Sequence, residues 1–155
     1  MQQKRFIDLE ISKETQRAVA DMGFTELTPI QSQCIPLILE KKDVIGQAQT
    51  GTGKTLAFGL PILEMLEPKG RSIEAVVLCP TRELAVQVAG ELKRLAKYKR
   101  GVSVVPVYGG QPIQKQLVSL RKGARIIVGT PGRVMDHMNS GTLRLDAVRV
   151  VVLDE

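Results

Sequence analysis

Eight consecutive residues, Ala48-Gln49-Thr50-Gly51-Thr52-Gly53-Lys54-Thr55, carry the side chains and the backbone freedom needed to grip a triphosphate. Small residues let the backbone bend until several N–H groups point at one anion, and the N-terminus of the following helix adds its partial positive charge. Lys54 then reaches the β- and γ-phosphates, and the Thr55 hydroxyl is offered to Mg²⁺. The loop starts with Ala where the general pattern has Gly. With either residue allowed, a chain of this length matches by chance on the order of one time in a hundred. A fortuitous Gly/Thr turn is the competing reading, and the apolar strand before the loop and the apolar helix after it count against that.

At the other end, Asp154-Glu155 closes the apolar run Val150-Val151-Val152-Leu153. Two carboxylates at the end of a buried strand suit a phosphate-loop enzyme: Asp154 to hold Mg²⁺, through water, and Glu155 to orient and deprotonate the attacking water. Without the phosphate loop the same pair would read as a solvated turn.

Three further spots have both a structural and a functional reading. Thr28-Pro29-Ile30-Gln31 is a helix start, with Thr28 as N-cap, Pro29 in the first turn and Gln31 closing a capping box. The Gln31 amide also matches the N6 and N7 edge of adenine. Thr130-Pro131-Gly132-Arg133 is a second Thr-Pro helix start, and Pro80-Thr81-Arg82-Glu83 offers a similar one. Each is either a plain cap or a seat for a backbone phosphate. Arg82 and Arg133 sit poorly with the helix dipole unless an anion or an internal acid is near.

The elements that must position these residues alternate. Strands are predicted over residues 43–47, 75–79, 102–108, 125–129 and 148–153, with helices over 53–66, 83–97, 111–120 and 132–139. Pro61 is expected to kink the first of these helices or end its regular hydrogen bonding. Alternation implies an α/β domain with a parallel sheet covered on both faces. The phosphate loop, Pro80-Thr81-Arg82, Gly109-Gly110, Thr130-Pro131-Gly132-Arg133 and Asp154-Glu155 each follow one strand. They therefore share the carboxyl edge, where open α/β sheets bind ligands.

The chain has 155 residues, 43% of them apolar, which suffices for one globular domain with a core. No signal peptide or membrane-length apolar run is visible, so a cytoplasmic location is expected. Cys34 and Cys79 lack metal-site spacing and read as buried thiols; a single histidine, His137, argues against His-based zinc sites and serine-type triads. The net charge of +6 is uneven: residues 92–135 hold ten Lys or Arg and no acid. That block suggests a polyanion partner, or the solvated face of a helix buried through Leu84, Val88, Leu92 and Leu95. Aromatics are 3% of the chain with no Trp, so a bound nucleic acid is expected to be held by its backbone, with strong salt dependence and little sequence preference.

Taken together these residues resemble the DEAD-box ATP-dependent RNA helicases in their N-terminal RecA-like domain. Residues 23–31, Gly23-Phe24-Thr25-Glu26-Leu27-Thr28-Pro29-Ile30-Gln31, look like the family's adenine-sensing Q motif, with Phe6 at the distance of its isolated upstream aromatic. Ala48 opens the phosphate loop in that family, and the three loops at Pro80, Gly109 and Thr130 resemble its RNA-backbone loops in order and spacing. The resemblance covers the chain from about Phe6 onward and implies one incomplete helicase ATP-binding domain over residues 1–155.

It further implies ATP and Mg²⁺ as cofactors, with Phe6, Phe24 and Gln31 toward the nucleotide. Pro80, Thr81, Arg82, Gly109, Gly110, Thr130, Pro131, Gly132 and Arg133 would face RNA. The residues completing the Asp-Glu-Ala-Asp motif and a second RecA-like domain with its arginine finger would follow Glu155. In RecA-like sheets the strand after the magnesium acids inserts beside the strand that carries them, so a polypeptide ending at Glu155 is expected to expose Val150 and Val152, to be poorly stable and to lack unwinding activity. A DNA-directed helicase or translocase of the same superfamily is one alternative reading, and a catalytically silent nucleotide-dependent RNA-binding module is the other.

Overall fold

The computed structural model describes residues 3–155. The chain divides into two compact units, one running up to Leu66 and including Arg94–Arg100, the other formed by Glu67–Lys93 and Gly101–Glu155.

The first unit is helical, with α1 (Lys13–Asp21), α2 (Pro29–Leu39) and α3 (Lys54–Met65). Ser12 caps α1 by accepting from the Thr15 N–H at 3.3 Å. The predicted capping box opens α2: Thr28 N donates to Gln31 Oε1 at 3.0 Å, and Gln31 N donates to Thr28 Oγ1 at 3.5 Å. α2 packs along α3, and Ile35, Leu60, Ile62 and Leu63 are fully buried. Pro61 does not end α3, which continues to Met65. Proline forfeits one bond, toward the Ala57 carbonyl, and burial of the surrounding apolar face outweighs that loss.

A short antiparallel pairing ties the start of the chain to the segment before α2: Phe6 N donates to Thr25 O at 3.1 Å, and Leu27 N to Lys4 O at 2.9 Å. Glu64 on α3 holds the start of α1, accepting from the backbone and hydroxyl of Ser12 and from Thr15, with Lys99 Nζ 3.3 Å away.

Residues 43–47 are not a strand, contrary to expectation. A strand exists only through a ladder, and no described strand pairs with this stretch, so Ile45 stands in solvent.

The second unit is a parallel sheet of β1 (Ala75–Leu78), β2 (Val104–Val107), β3 (Ile126–Gly129) and β4 (Val150–Leu153), in the order β2-β3-β1-β4. With them come α4 (Arg82–Leu95), α5 (Ile113–Arg121) and α6 (Pro131–Asn139). Val76, Val105 and Ile127, matched in register, share a core with Val107, Ala124, Val134 and Leu143. Ala75, Val77, Ile126 and Val128 point to the other face and are also buried. β4, paired only with β1, is less covered than expected for a buried strand. Val151 is 60% and Leu153 75% exposed, while Val150 and Val152, expected to stand open, are half-buried.

Before their first residues, three strands are clamped by charge. Buried Glu74 receives the guanidinium groups of Arg125 and Arg149 and the Glu67 N–H, and Arg125 also donates to the Glu67 carbonyl at 2.8 Å. Burial alone would raise the Glu74 carboxyl, but these donors outweigh it and hold it below the usual glutamate value. No helix among the described residues is long and apolar enough to cross a membrane.

Candidate functional site

In the first unit the phosphate-loop sequence is a turn that delivers Lys54 and Thr55 into the first turn of α3. Gly51 and Gly53 hold φ of +79° and +83°, a left-handed backbone that favours glycine. The Thr52 hydroxyl donates to the Gln49 carbonyl and closes the turn. Gln49, Thr50 and Gly51 are exposed, whereas Ala48, Thr52, Gly53, Lys54 and Thr55 are half-buried.

Gln31 reaches this loop directly. Its Nε2 donates to the Gly53 carbonyl at 3.1 Å, and the side chain is 2% exposed. A methyl on Gly53 would lie 2.2 Å from that nitrogen, so the glycine is required by the approach as well as by its φ. Gln31 thus closes a cap with one end of its amide and steadies the phosphate loop with the other. Of the two aromatics that the resemblance assigns to adenine, Phe24 is 44% exposed and Phe6 is buried at 3%.

In the second unit, four of the sequence-predicted loops follow β1 to β4 and so lie along one carboxyl edge. In sheet order this edge presents Gly109-Gly110, Thr130-Pro131-Gly132-Arg133, Pro80-Thr81-Arg82 and then Asp154-Glu155. Thr81 caps α4, accepting from Leu84 N at 3.2 Å. Thr130 occupies the cap position of α6, yet its side chain makes no capping bond. Pro131 and Gly132 are exposed.

Gly110 has a φ of +83°, and a methyl there would sit 2.8 Å from Arg82 Nη1. Loop and guanidinium therefore abut, at an open cleft of about 650 Å³ shared with Val86, Tyr108, Gln111 and Lys115. Gly129 is equally constrained: a methyl would meet Val134 Cγ2 at 2.5 Å and the Val107 carbonyl at 2.6 Å, so only glycine lets β3 turn into α6 here.

The two helix-start arginines differ. Arg82 is exposed, with Glu83 3.6 Å away. Arg133 has a side chain only 16% exposed and donates through Nη1 to the Gln111 carbonyl at 2.8 Å and to Gln116 Oε1 at 3.2 Å, with Asp136 at 3.6 Å. The basic block is partly answered by acids of the same chain: Lys99 faces Glu64 and Arg125 faces Glu74 in sheltered pairs, and Lys97 faces Asp21 at the surface.

Asp154 N donates to the Leu78 carbonyl at 2.9 Å, fixing the acidic pair to the end of β1. The local field is visible at Cys79, whose thiol is pushed up to about 11 by burial first and then by the Asp154 and Glu155 charges. No group of three or more acids, histidines or cysteines among the described residues could cage a metal. Taken each in its own unit, the Thr55 hydroxyl and the Asp154 carboxylate are oxygen donors of the kind that Mg²⁺ prefers.

Gln116, His137 and Glu74 carry much of the polar bonding around this edge and its opposite, roles that sequence reasoning missed. Nothing in their sequence neighbours marks them, and the partners that matter most come from other segments: Arg133 and His137 for Gln116, Arg125 and Arg149 for Glu74.

The family model of the DEAD/DEAH box helicases matches residues 28–155. The chain is 56% identical over 150 residues to the DEAD-box ATP-dependent RNA helicase CshA of Geobacillus kaustophilus, covering 97% of this chain and 32% of that protein. It is 54% identical to CshA of Bacillus subtilis, with 97% and 30% covered. Among solved structures, a DEAD box protein from Methanococcus jannaschii superposes with a TM-score of 0.90 at 43% identity, covering 97% of this chain and 41% of that one. A hypothetical ATP-dependent RNA helicase from Sulfolobus tokodaii gives 0.85 at 38% identity, with 94% and 41% covered. The chain thus spans about a third of the length of the curated relatives it matches.

Proposed function

Because the chain belongs to the DEAD/DEAH box helicase family, we propose that it is the ATP-binding, N-terminal RecA-like domain of an RNA helicase that couples ATP hydrolysis to unwinding or remodelling of RNA. The observation that carries this reading is the row of loops on the second unit. Gly109-Gly110, Thr130-Pro131-Gly132 and Pro80-Thr81-Arg82 follow three adjacent strands, β2, β3 and β1, and the acids follow the fourth. Neighbouring strands lie about 4.8 Å apart, so the three loops extend over roughly 10 Å, a length matched to two or three nucleotides of backbone. The exposed Pro131 and Gly132 and the Gly109-Gly110 pair carry no side chain that hydrogen-bonds a base edge, which fits an enzyme that holds RNA by its backbone with little sequence preference.

Within this reading, the phosphate-loop amides and Lys54 bind the β- and γ-phosphates, and Phe24, Phe6 and Gln31 serve the adenine end. Thr55 and Asp154 are the residues that would hold Mg²⁺, which neutralises phosphate charge when bound. Glu155 orients the attacking water and takes its proton. A second RecA-like domain, in the part of the relatives that this chain does not cover, supplies an arginine finger and closes over ATP and RNA. Two free buried thiols accord with a reducing cytoplasmic setting.

The test uses the full-length protein. RNA should stimulate ATP hydrolysis, and DNA of the same sequence should compete poorly. Glu155→Gln should cut turnover by about a hundredfold or more while ATP still binds. Equal stimulation by DNA would redirect the assignment to a DNA translocase; unchanged turnover in the variant would remove Glu155 from the chemistry.

A further inference from the structure

Gln116 on α5 is 2% exposed, and both ends of its amide are committed to segments remote from α5 or flanking its start. Its Nε2 donates to the Tyr108 carbonyl at 2.7 Å and to Gln111 Oε1 at 3.0 Å, the residues on either side of Gly109-Gly110. Its Oε1 accepts from Arg133 Nη1 at 3.2 Å and lies 3.0 Å from His137 Nε2. Arg133 Nη1 returns to the Gln111 carbonyl at 2.8 Å, which closes the ring of contacts.

The orientation of this amide is forced. A carbonyl only accepts and a guanidinium only donates, so nitrogen must face Tyr108 and oxygen must face Arg133. His137 Nε2 must then carry a proton and donate to Oε1, which assigns the tautomer from the network. Its Nδ1 meets Thr142 Oγ1 at 2.8 Å, and that hydroxyl lies 3.1 Å from the His137 carbonyl. His137 is fully buried, and its burial and the Arg133 charge favour the neutral ring this tautomer requires.

An apolar pair would fill the same space without the cost of burying an amide and an imidazole. What the polar version adds is geometry. It ties both ends of the Gly109-Gly110 loop to the first and second turns of α6, whose exposed start carries Pro131 and Gly132. We propose that Gln116 and His137 are positioning residues for RNA: together they lock the Gly109-Gly110 loop and the start of α6 into one preformed track, with Arg133 serving as an internal strut of that track. This rests on the reading that these loops face RNA.

The experiment compares Gln116→Met, Gln116→Glu and Arg82→Ala in the full-length protein. Gln116→Met keeps the length and removes all four contacts. Gln116→Glu keeps the acceptor for Arg133 and His137 and loses the donor toward Tyr108 and Gln111. Both should raise the RNA concentration for half-maximal ATPase stimulation at least tenfold, while the KM for ATP and the RNA-independent rate stay within twofold.

Unchanged RNA dependence in either folded variant would overturn the proposal, as would an ATP KM that rises in step. Loss of folding in both would overturn it too, because the network would then serve the fold and not the track. Arg82→Ala separates the two levels: if it and the Gln116 variants all leave RNA dependence intact, the RNA-facing reading itself fails. If Arg82→Ala weakens RNA and the Gln116 variants do not, only this inference fails.

Discussion

The side-chain amide of Gln31 donates to the main-chain carbonyl of Gly53 across 22 residues of sequence, at 3.1 Å. The same amide accepts from Thr28 N at 3.0 Å, so the start of α2 and the cap of α3 share one side chain. Whatever engages Gln31 therefore acts at once on the residue that precedes Lys54.

Replacing Gln31 tests that link. Gln31→Ala removes the capping-box acceptor and the Gly53 donor together and should lower stability by about 1–3 kcal/mol. In the full-length protein the Kd for ATP should rise by about tenfold or more. Gly53→Ala should be at least as damaging to ATP binding, since the methyl collides with the amide at 2.2 Å and the φ of +83° is unfavourable. Isothermal titration with ATP and thermal melts check both; unaltered ATP affinity in Gln31→Ala would mean the bond serves only the cap.

The Glu74 cluster sets an acid limit on stability. Its carboxyl is held below the ordinary value in the folded protein, as is that of Glu64, where bonds from Thr15 and Ser12 and the Lys99 charge outweigh burial. A depressed folded value means the stabilisation is complete above the unfolded value, about 4.3, and is lost as pH falls through the folded one. The melting temperature should be flat near neutrality and fall below about pH 4.5. Glu74→Ala removes the carboxylate facing the buried Arg125 guanidinium, while Arg149 keeps its contact with Glu67, and should cost about 3–5 kcal/mol at neutral pH, with a shallower acid limb.

Gly129→Ala is predicted to destabilise by about 1–3 kcal/mol through overpacking against Val134 and the Val107 carbonyl. Because the strain falls where β3 enters α6, RNA dependence should worsen more than ATP dependence. Urea melts give the first quantity and RNA-stimulated ATPase the second. A fully stable variant would show that the β3 end can shift to admit the methyl.

Cys79 should resist alkylation at pH 8, since a thiol pushed up to about 11 is almost entirely protonated and is buried besides. Mass spectrometry after treatment with iodoacetamide should find it unmodified until denaturant is added. Asp154→Asn should bring its reactivity up only slightly, because burial is the larger cause.

Much of this was readable from the sequence, for definable reasons. β1, β3 and β4 announce themselves as β-branched runs, and the Thr28 to Gln31 box is a local pattern whose partners lie three residues apart. Residues 43–47 offer only Val44 and Ile45 as a β-branched pair and have no ladder, and a ladder depends on a neighbour that composition does not contain. The basic block shows the same dependence on the fold: Lys97, Lys99, Arg125 and Arg133 are answered by Asp21, Glu64, Glu74 and Asp136, three of them far away in sequence. Gln116 and His137 lie 21 residues apart, and nothing short of the packed structure brings their atoms together.

Strands of four residues separate two kinds of sequence constraint along the same backbone. Glu74, Arg125 and Arg149 stand at the entrance to β1, β3 and β4, while Thr81, Thr130 and Asp154 stand at the exit. Damage at the entrance will be felt as scarcity, with fewer folded molecules each working normally; loss of an exit side chain that faces a ligand will chiefly lower the output per molecule, and a packing change such as Gly129→Ala will do both. A genetic screen that scores growth alone would merge the two, whereas measuring protein level beside specific activity would sort variants by which end of a strand they touch.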